Sequence, residues 1–415
     1  MITLPPHPPP AGRSERVLLF LLGAVQFVNA LEFMIVMPLG PDFSRGLGIP
    51  VSHVGWIGGA YTLAAAVSGM VGSLFLDRFD RRKALAVAML GLVIGTALGG
   101  FARGLVSLMA ARVIAGMFGG PATSLSLSII ADVIPVERRG KAMGAVMGAF
   151  SVASVLGVPA GLELARLGSW RTPLFAVAGM GVMVAAAAIF LMPPLRKHLD
   201  APHPPGPRGA FFRDTAVLAA LASTATVMVA AFSIIPNISA FLQFNYGYPR
   251  ARLGLLYMIG GAVNFFAMRL IGYLVDRFGA APVSTFGTVL FGAILWFGYI
   301  HEPFLPPLVV FTAFMLGMSF RNVPLTTLSS RVPAPRQRAR FMSTQSAVQH
   351  LSASAGAFLS AHLLTELPDG RLVGMEQVAG IALALSLALP FLITVVQTRV
   401  RRREHVEERE VGADF

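Results

Sequence analysis

Cysteine is absent from the 415 residues, which removes disulfides, thiolate metal ligands, iron-sulfur clusters and thiol nucleophiles. Charge is scarce as well: Asp, Glu, Lys and Arg make up 13% of the chain, whereas hydrophobic residues make up 55%. So few charges cannot cover a water-facing surface of ordinary charge density. No His-x-x-x-His pair or carboxylate cluster has metal-ligand spacing, and no glycine-rich strand-to-helix loop is present to cradle a phosphate. An enzyme is therefore the weakest reading, and nothing calls for a cofactor or a metal.

What is abundant is apolar sequence in long runs. A bilayer core takes about 20 apolar residues per helix, and twelve such runs follow one another at 17–40, 51–76, 84–101, 105–131, 142–165, 171–192, 214–244, 251–275, 283–300, 306–331, 342–365 and 375–396. The fold class is accordingly an all-α membrane protein with twelve transmembrane helices. Five prolines stand among the first ten residues, and the run after them is too long for a signal-peptide core. Residues 1–16 and 397–415 are expected as tails and the proline-rich stretch 193–213 as a linker. The six-helix units are then 17–192 and 214–396.

The formal net charge of +13 invites a nucleic-acid reading, so its location decides what it means. With both termini cytoplasmic, 23 of the 33 Lys and Arg residues fall in inner segments, 7 in outer loops and 3 within spans. That asymmetry follows the positive-inside rule. Topology accounts for the basic charge without nucleic acid, and membrane lipids are the expected surroundings.

A constant offset of 199 residues brings Gly48 onto Gly247, Pro50 onto Pro249, Gly55 onto Gly254, Asp77-Arg78-Phe79 onto Asp276-Arg277-Phe278, Arg139 onto Arg338 and Met143 onto Met342. One offset across five helices indicates a duplicated six-helix half, related by an axis along the membrane normal. Between the second and third spans, Ser73-Leu74-Phe75-Leu76-Asp77-Arg78-Phe79-Asp80-Arg81-Arg82-Lys83 resembles the signature loop of the major facilitator superfamily, with Ser73 and Asp80 where that loop has glycines. The second copy, Gly272 to Gly279, keeps both glycines and lacks the basic residues that follow. The resemblance covers nearly the whole chain and implies two pseudo-symmetric six-helix bundles, alternating access and a monomer.

The same resemblance implies that Asp77, Arg78, Arg81, Arg82, Asp132, Asp276 and Arg277 form a conformational latch on the cytoplasmic side. Asp77 would pair with Arg81 or Arg82 and approach the positive N-terminus of a helix in the other half. Asp80 adds a negative charge there and is expected to weaken the latch. In the fifth span, Gly157-Val158-Pro159-Ala160-Gly161 looks like the antiporter motif of drug and sugar exporters, in which small residues let helices approach closely. Its Gly-Val-Pro form most resembles the drug/proton antiporters that include arabinose and chloramphenicol exporters. Tight helix packing without bearing on direction is the plainer reading.

Ionisable residues inside spans default to functional hypotheses. Leu31-Glu32-Phe33-Met34-Ile35-Val36-Met37-Pro38 resembles the helix-one segment of drug/proton antiporters, where an acidic residue precedes the proline, and Arg112-Val113-Ile114-Ala115-Gly116 resembles the helix-four arginine motif associated with proton coupling. At about 1.5 Å per residue, Glu32 and Arg112 lie at one depth. Glu32 is read as the proton carrier and Arg112 as its tuner, against a purely structural ion pair. Gln26, Asn29 and Glu32 recur at threes and are expected to face an aqueous cavity. Arg321 and His350 can also share a depth and are read as an anion-binding pair, against a packing histidine and an arginine bonded to carbonyls. Substrate-lining candidates are Gln26, Asn29, Phe33, Tyr61, Asn237, Asn264, Arg321, Gln349 and His350, and Asn237 follows Pro236, where a break in the helix is expected.

The leading reading is a proton-coupled antiporter in a bacterial inner membrane, exporting a small organic molecule, with protons as the coupled partner. Export of an anionic metabolite such as a siderophore, sugar derivative or lipid stays open, as does a transporter-like sensor without flux.

Overall fold

The computed structural model describes residues 13–72, 76–196, 214–301, 305–333 and 338–413. Most of the expected linker, the first twelve residues and the side chain of Asp77 lie outside the described part. Eleven helices are long and apolar enough to cross a membrane: α1 (Glu15–Val36), α2 (Val51–Gly72), α3 (Arg81–Gly100), α4 (Leu105–Val133), α5 (Arg138–Leu167), α6 (Arg171–Leu191), α7 (Thr215–Phe244), α8 (Arg250–Phe278), α9 (Ala280–Ile300), α10 (Pro307–Ser329) and α12 (Met375–Arg402). The remaining one, α11 (Arg338–Leu363), matches them in length. Gln345, Gln349, His350 and a series of serines make it too polar to pass on composition.

The first run ends earlier than expected. Helix α1 stops at Val36, and Gly40–Leu47 forms a separate short helix. Pro38 and Pro41 cannot donate to the preceding turn, so the chain bends between them. The last run goes further than expected: helix continues to Ala413 instead of giving way to a tail at 397.

The sequence repeat is visible in the backbone. Gly48 closes the short helix with φ 64°, and Gly247, 199 residues on, has φ 66°. Each is followed by a proline and one turn of 3-10 helix, Val51–His53 in one half and Arg250–Arg252 in the other. A left-handed turn favours glycine because a Cβ would crowd the next carbonyl. The same device therefore starts the second helix of each half.

Twelve long helices in alternation put the start of α1 and the end of α12 at one end of the array, called here the near end; the opposite end is the far end. Polar contacts between the halves gather at the far end. Arg250 Nε and Nη2 grip both oxygens of Asp42 at 2.8–3.1 Å. Strands β1 (Thr365–Glu366) and β2 (Leu372–Val373) form a hairpin between α11 and α12. From it, Glu366 accepts the Val51 backbone N–H at the start of α2. Deeper in, Ser354 Oγ of α11 donates to the Gly59 carbonyl at 3.0 Å, and the Phe358 ring lies 5.0 Å from Trp56. Gly55 faces the Ala357 carbonyl so closely that any side chain would collide with it. Helices α5 and α8 meet in the same way, with Gly254 beside Pro159 and Gly261 beside Val155. Small residues allow this approach in a medium where apolar burial alone drives little association.

The far-end seal generates a prediction. Since the chain has no cysteine, Ser354→Cys supplies a single reporter at a site 1% exposed. It should resist a polar maleimide, and adding Gly55→Leu should speed its labelling several-fold by wedging α2 from α11. Unchanged labelling would show that this contact does not hold the far end shut.

Candidate functional site

Helices α1, α2, α3 and α4 enclose a polar core inside the N-terminal half. Arg112 on α4 is 3% exposed, and its Nη1 pairs with Glu32 Oε1 on α1, which is fully buried. The Arg112 guanidinium lies 4.5 Å from the centre of the Tyr61 ring on α2. Tyr61 Oη donates to Asn29 Oδ1 at 3.0 Å, and Asn29 Nδ2 donates to the Gly119 carbonyl at 3.0 Å and to Thr123 Oγ1 at 2.7 Å. Thr123 donates in turn to Gln26 Oε1 at 3.3 Å, and Gln26 Nε2 reaches the Met147 sulfur at 3.9 Å. Thr96 of α3 stands beside Glu32 with its hydroxyl committed to the Leu92 carbonyl at 2.8 Å.

The polar face of α1 thus does not look into open water. Gln26, Asn29 and Glu32 are at most 7% exposed and turn toward α4, where Arg112, Gly119 and Thr123 meet them. Arg112, Gly116, Gly119 and Thr123 fall on one face of α4 at steps of four, three and four. That spacing carried the signal for Thr123, which sequence reasoning missed. Thr96, also missed, is the one hydroxyl residue in α3. Gly116 and Gly119 admit the Tyr61 carbonyl and hydroxyl at distances no side chain would allow. On α5, Gly157 and Gly161 receive Leu31 and Ile35 of α1, and Pro159 follows a π-helical turn over Ala153–Gly157.

Phe33 is half-buried and bridges the halves, 5.2 Å from Tyr61 and 6.0 Å from Phe232 of α7. Helix α7 breaks into a 3-10 turn at Ile235–Asn237. There Asn237, fully buried, donates to Ser360 Oγ at 3.0 Å. Asn264 accepts from Ser319 at 2.7 Å. Gln349 is exposed and His350 half-buried.

Arg321 does not join His350. Its guanidinium is fully buried and lies 4.2 Å over the Phe291 ring of α9, on the α10 face that also carries Phe314 and Met318. The cause is helical register: Phe314, Met318 and Arg321 follow at steps of four and three, which places Arg321 on the packed side of α10.

At the near end, Arg81 Nε pairs with Asp132 at 3.1 Å. Arg78, Asp276 and Arg277 are exposed, with Arg277 donating to the Tyr273 hydroxyl. Asp80, expected to weaken the latch, makes its contacts within the N-terminal half. It caps α3 by accepting the Arg82 N–H at 2.9 Å and also accepts from the Leu195 N–H and Arg196 Nε at 3.3 and 3.0 Å. Arg82 returns the contact to the carbonyls of Ile189 and Met192. The loop is therefore tied to the end of α6. Burial by itself would raise the Asp80 carboxyl, but the hydrogen bonds from Arg196, Leu195 and Arg82 together with the Arg196 charge outweigh it and hold the carboxyl below its usual range.

The profile of the Major Facilitator Superfamily matches residues 22–357 and, in a second alignment, 221–413. The chain belongs to the Major Facilitator Superfamily. It is 26% identical over 395 residues to the chloramphenicol resistance protein of Streptomyces lividans, covering 92% of this chain and 97% of that one. It is 29% identical over 185 residues to the Acurin A biosynthesis cluster MFS-type transporter of Aspergillus aculeatus, covering 45% of this chain and 32% of that longer relative. In fold it is similar to a bacterial homolog of the human lysosomal transporter Spinster in an inward-facing and occupied conformation, with TM-score 0.75, 16% identity, and 94% and 98% of the two chains covered. This member of the superfamily is a multi-pass membrane transporter and not an enzyme.

Two predictions follow from the geometry. Arg112→Leu strands a buried carboxylate and should cost about 3–5 kcal/mol, and the double variant Glu32→Leu/Arg112→Leu should recover most of it. Thermal unfolding in detergent checks this, and equal losses in both variants would contradict it. A carboxyl held below its usual range stabilises the fold above its unfolded pKa and loses that contribution as pH falls through the lowered value. Asp80→Asn should therefore lower the melting temperature at pH 7, and the gap to wild type should close below about pH 4.

Proposed function

We propose that the chain is a proton-coupled antiporter that exports a small organic compound by alternating access, with Glu32 as proton carrier and Arg112 as its tuner. The observation that carries this reading is the Glu32–Arg112 pair itself, sealed at membrane depth among α1, α2, α3 and α4. Burial raises the free energy of a lone carboxylate while a facing guanidinium lowers it. A small change in their separation or hydration between states is then enough to bind or release a proton. The excess of Lys and Arg at the near end argues for a cytoplasmic near end with both termini inside a bacterial inner membrane. On that orientation the far-end contacts seal the outer face.

Export is supported by the Gly157-Val158-Pro159 segment and by the name of the Streptomyces lividans relative. Export of an anionic metabolite drew its support from two arginines facing the cavity. Arg112 is neutralised by Glu32, and Arg321 is stacked on Phe291. The remaining lining candidates, Phe33, Tyr61, Asn237, Asn264, Gln349 and His350, suit a substrate of low charge. A monomer suffices on this reading, since one buried core already joins both halves within a single chain.

The test is flux in proteoliposomes with an imposed pH gradient, using chloramphenicol and N-phenyl-1-naphthylamine as probes. Wild type should accumulate at least one of them against its gradient. Glu32→Gln should lose that accumulation while keeping downhill exchange. Uphill accumulation by Glu32→Gln would contradict the assignment.

A further inference from the structure

Tyr61 touches both parts of the proposed cycle. One side of its ring covers the Arg112 guanidinium, and Phe33 lies 5.2 Å away. Phe33 in turn meets Phe232 of the other half at 6.0 Å. The amide and hydroxyl groups on this stretch of α1 and α4 already bond to one another and the ion pair is buried, which leaves the rings of Phe33 and Phe232, both half-buried, as surfaces for a ligand. Met147, the residue that Gln26 reaches, is 45% exposed, and Gln349 is exposed on α11. The charged groups at the site are Glu32 from α1 and Arg112 from α4, and α2 and α3 add only the neutral Tyr61 and Thr96.

The ion pair is incomplete. Its one contact joins Arg112 Nη1 to Glu32 Oε1, and Glu32 Oε2, Arg112 Nε and Arg112 Nη2 are buried without a hydrogen-bond partner. A carboxylate and a guanidinium bind most strongly through two parallel bonds. The Tyr61 ring, packed against Phe33, lies on the guanidinium and restrains the turn that would close the second one.

We propose that Tyr61 is the positioning residue that links substrate occupancy to the proton on Glu32, and that what it senses is an uncharged aromatic ring seated on Phe33 and Phe232. The inference rests on the proton-coupled reading above. The incoming ring takes the place of Tyr61 against Phe33, and Tyr61 withdraws from Arg112. The guanidinium turns and offers its free N–H groups to Oε2. The protonated Glu32 carboxyl then breaks its O–H bond, giving the proton to water on the near-end side and leaving a carboxylate held at both oxygens. When substrate departs at the far end, Tyr61 returns, one bond is lost and the carboxylate takes up a proton.

Infrared difference spectroscopy of the purified chain follows the Glu32 carboxyl band against pH, with Glu32→Gln identifying the band. Tyr61→Phe, which keeps the ring, should retain the wild-type midpoint. Tyr61→Leu should lower proton affinity by about tenfold, one pH unit. In weak buffer at the wild-type midpoint, the neutral N-phenyl-1-naphthylamine should release protons from wild type and Tyr61→Phe but not from Tyr61→Leu, whereas 1-naphthoate and ethidium should release none. Phe33→Leu is the second variant: it should keep the midpoint and lose dye-induced release. An unmoved midpoint in both leucine variants, an equal shift in Tyr61→Phe, or release by the charged probes alone overturns the proposal. A wild-type chain with no titrating Glu32 band overturns the proton-coupled reading instead.

Discussion

The buried contact between Glu32 and Arg112 constrains the rest of the N-terminal half. Two charges removed from water are tolerated only when they face each other closely and their surroundings are fixed. Four helices supply that fixity. Glycines at 116 and 119 let α4 press against Tyr61, and glycines at 157 and 161 let α5 press against α1. The Asn29, Thr123 and Gln26 chain sets the rotation of α1 against α4. Small residues that look like generic membrane packing thus hold one ion pair in register.

The two halves share a backbone plan and differ in this core. At the offset of 199, the positions of Glu32, Tyr61 and Arg112 correspond to Ala231, Gly260 and Phe311. The Phe311 ring fills the space over Gly260, where a Cβ would sit 2.6 Å from it. An ion pair beside a tyrosine ring in one half is an apolar contact in the other. Among the described residues, the C-terminal half keeps one fully buried arginine, Arg321, shielded by aromatic packing. On the proposed reading, coupling falls to the N-terminal half and recognition draws on ring faces and amides of the C-terminal half such as Phe232 and Asn237.

Most of the fold was legible in the sequence because membrane helices announce themselves by length and apolarity, and because the repeat carried glycine and proline at fixed positions. The ends were less legible. Proline at 38 and 41 cut α1 short, and the last helix runs on to Ala413 beyond its apolar stretch, two features that hydropathy does not register. The shared depth of Glu32 and Arg112 could be computed from rise per residue. Facing could not. The polar side of α1 was expected to meet water and meets α4, and Arg321 was expected to meet His350 and meets Phe291. Depth is fixed by counting along one helix, whereas facing depends on the rotation of two. Asp80 shows the same limit: its charge was visible, but its partners Leu195 and Arg196 lie more than a hundred residues away.

The central claim is that a single membrane-embedded carboxylate carries the proton for each export event. The ratio of protons to substrate, obtained from the opposing gradients at which net flux reverses in proteoliposomes, tests it most directly. The account predicts one proton per neutral substrate. A ratio of zero, or of two or more, would contradict it.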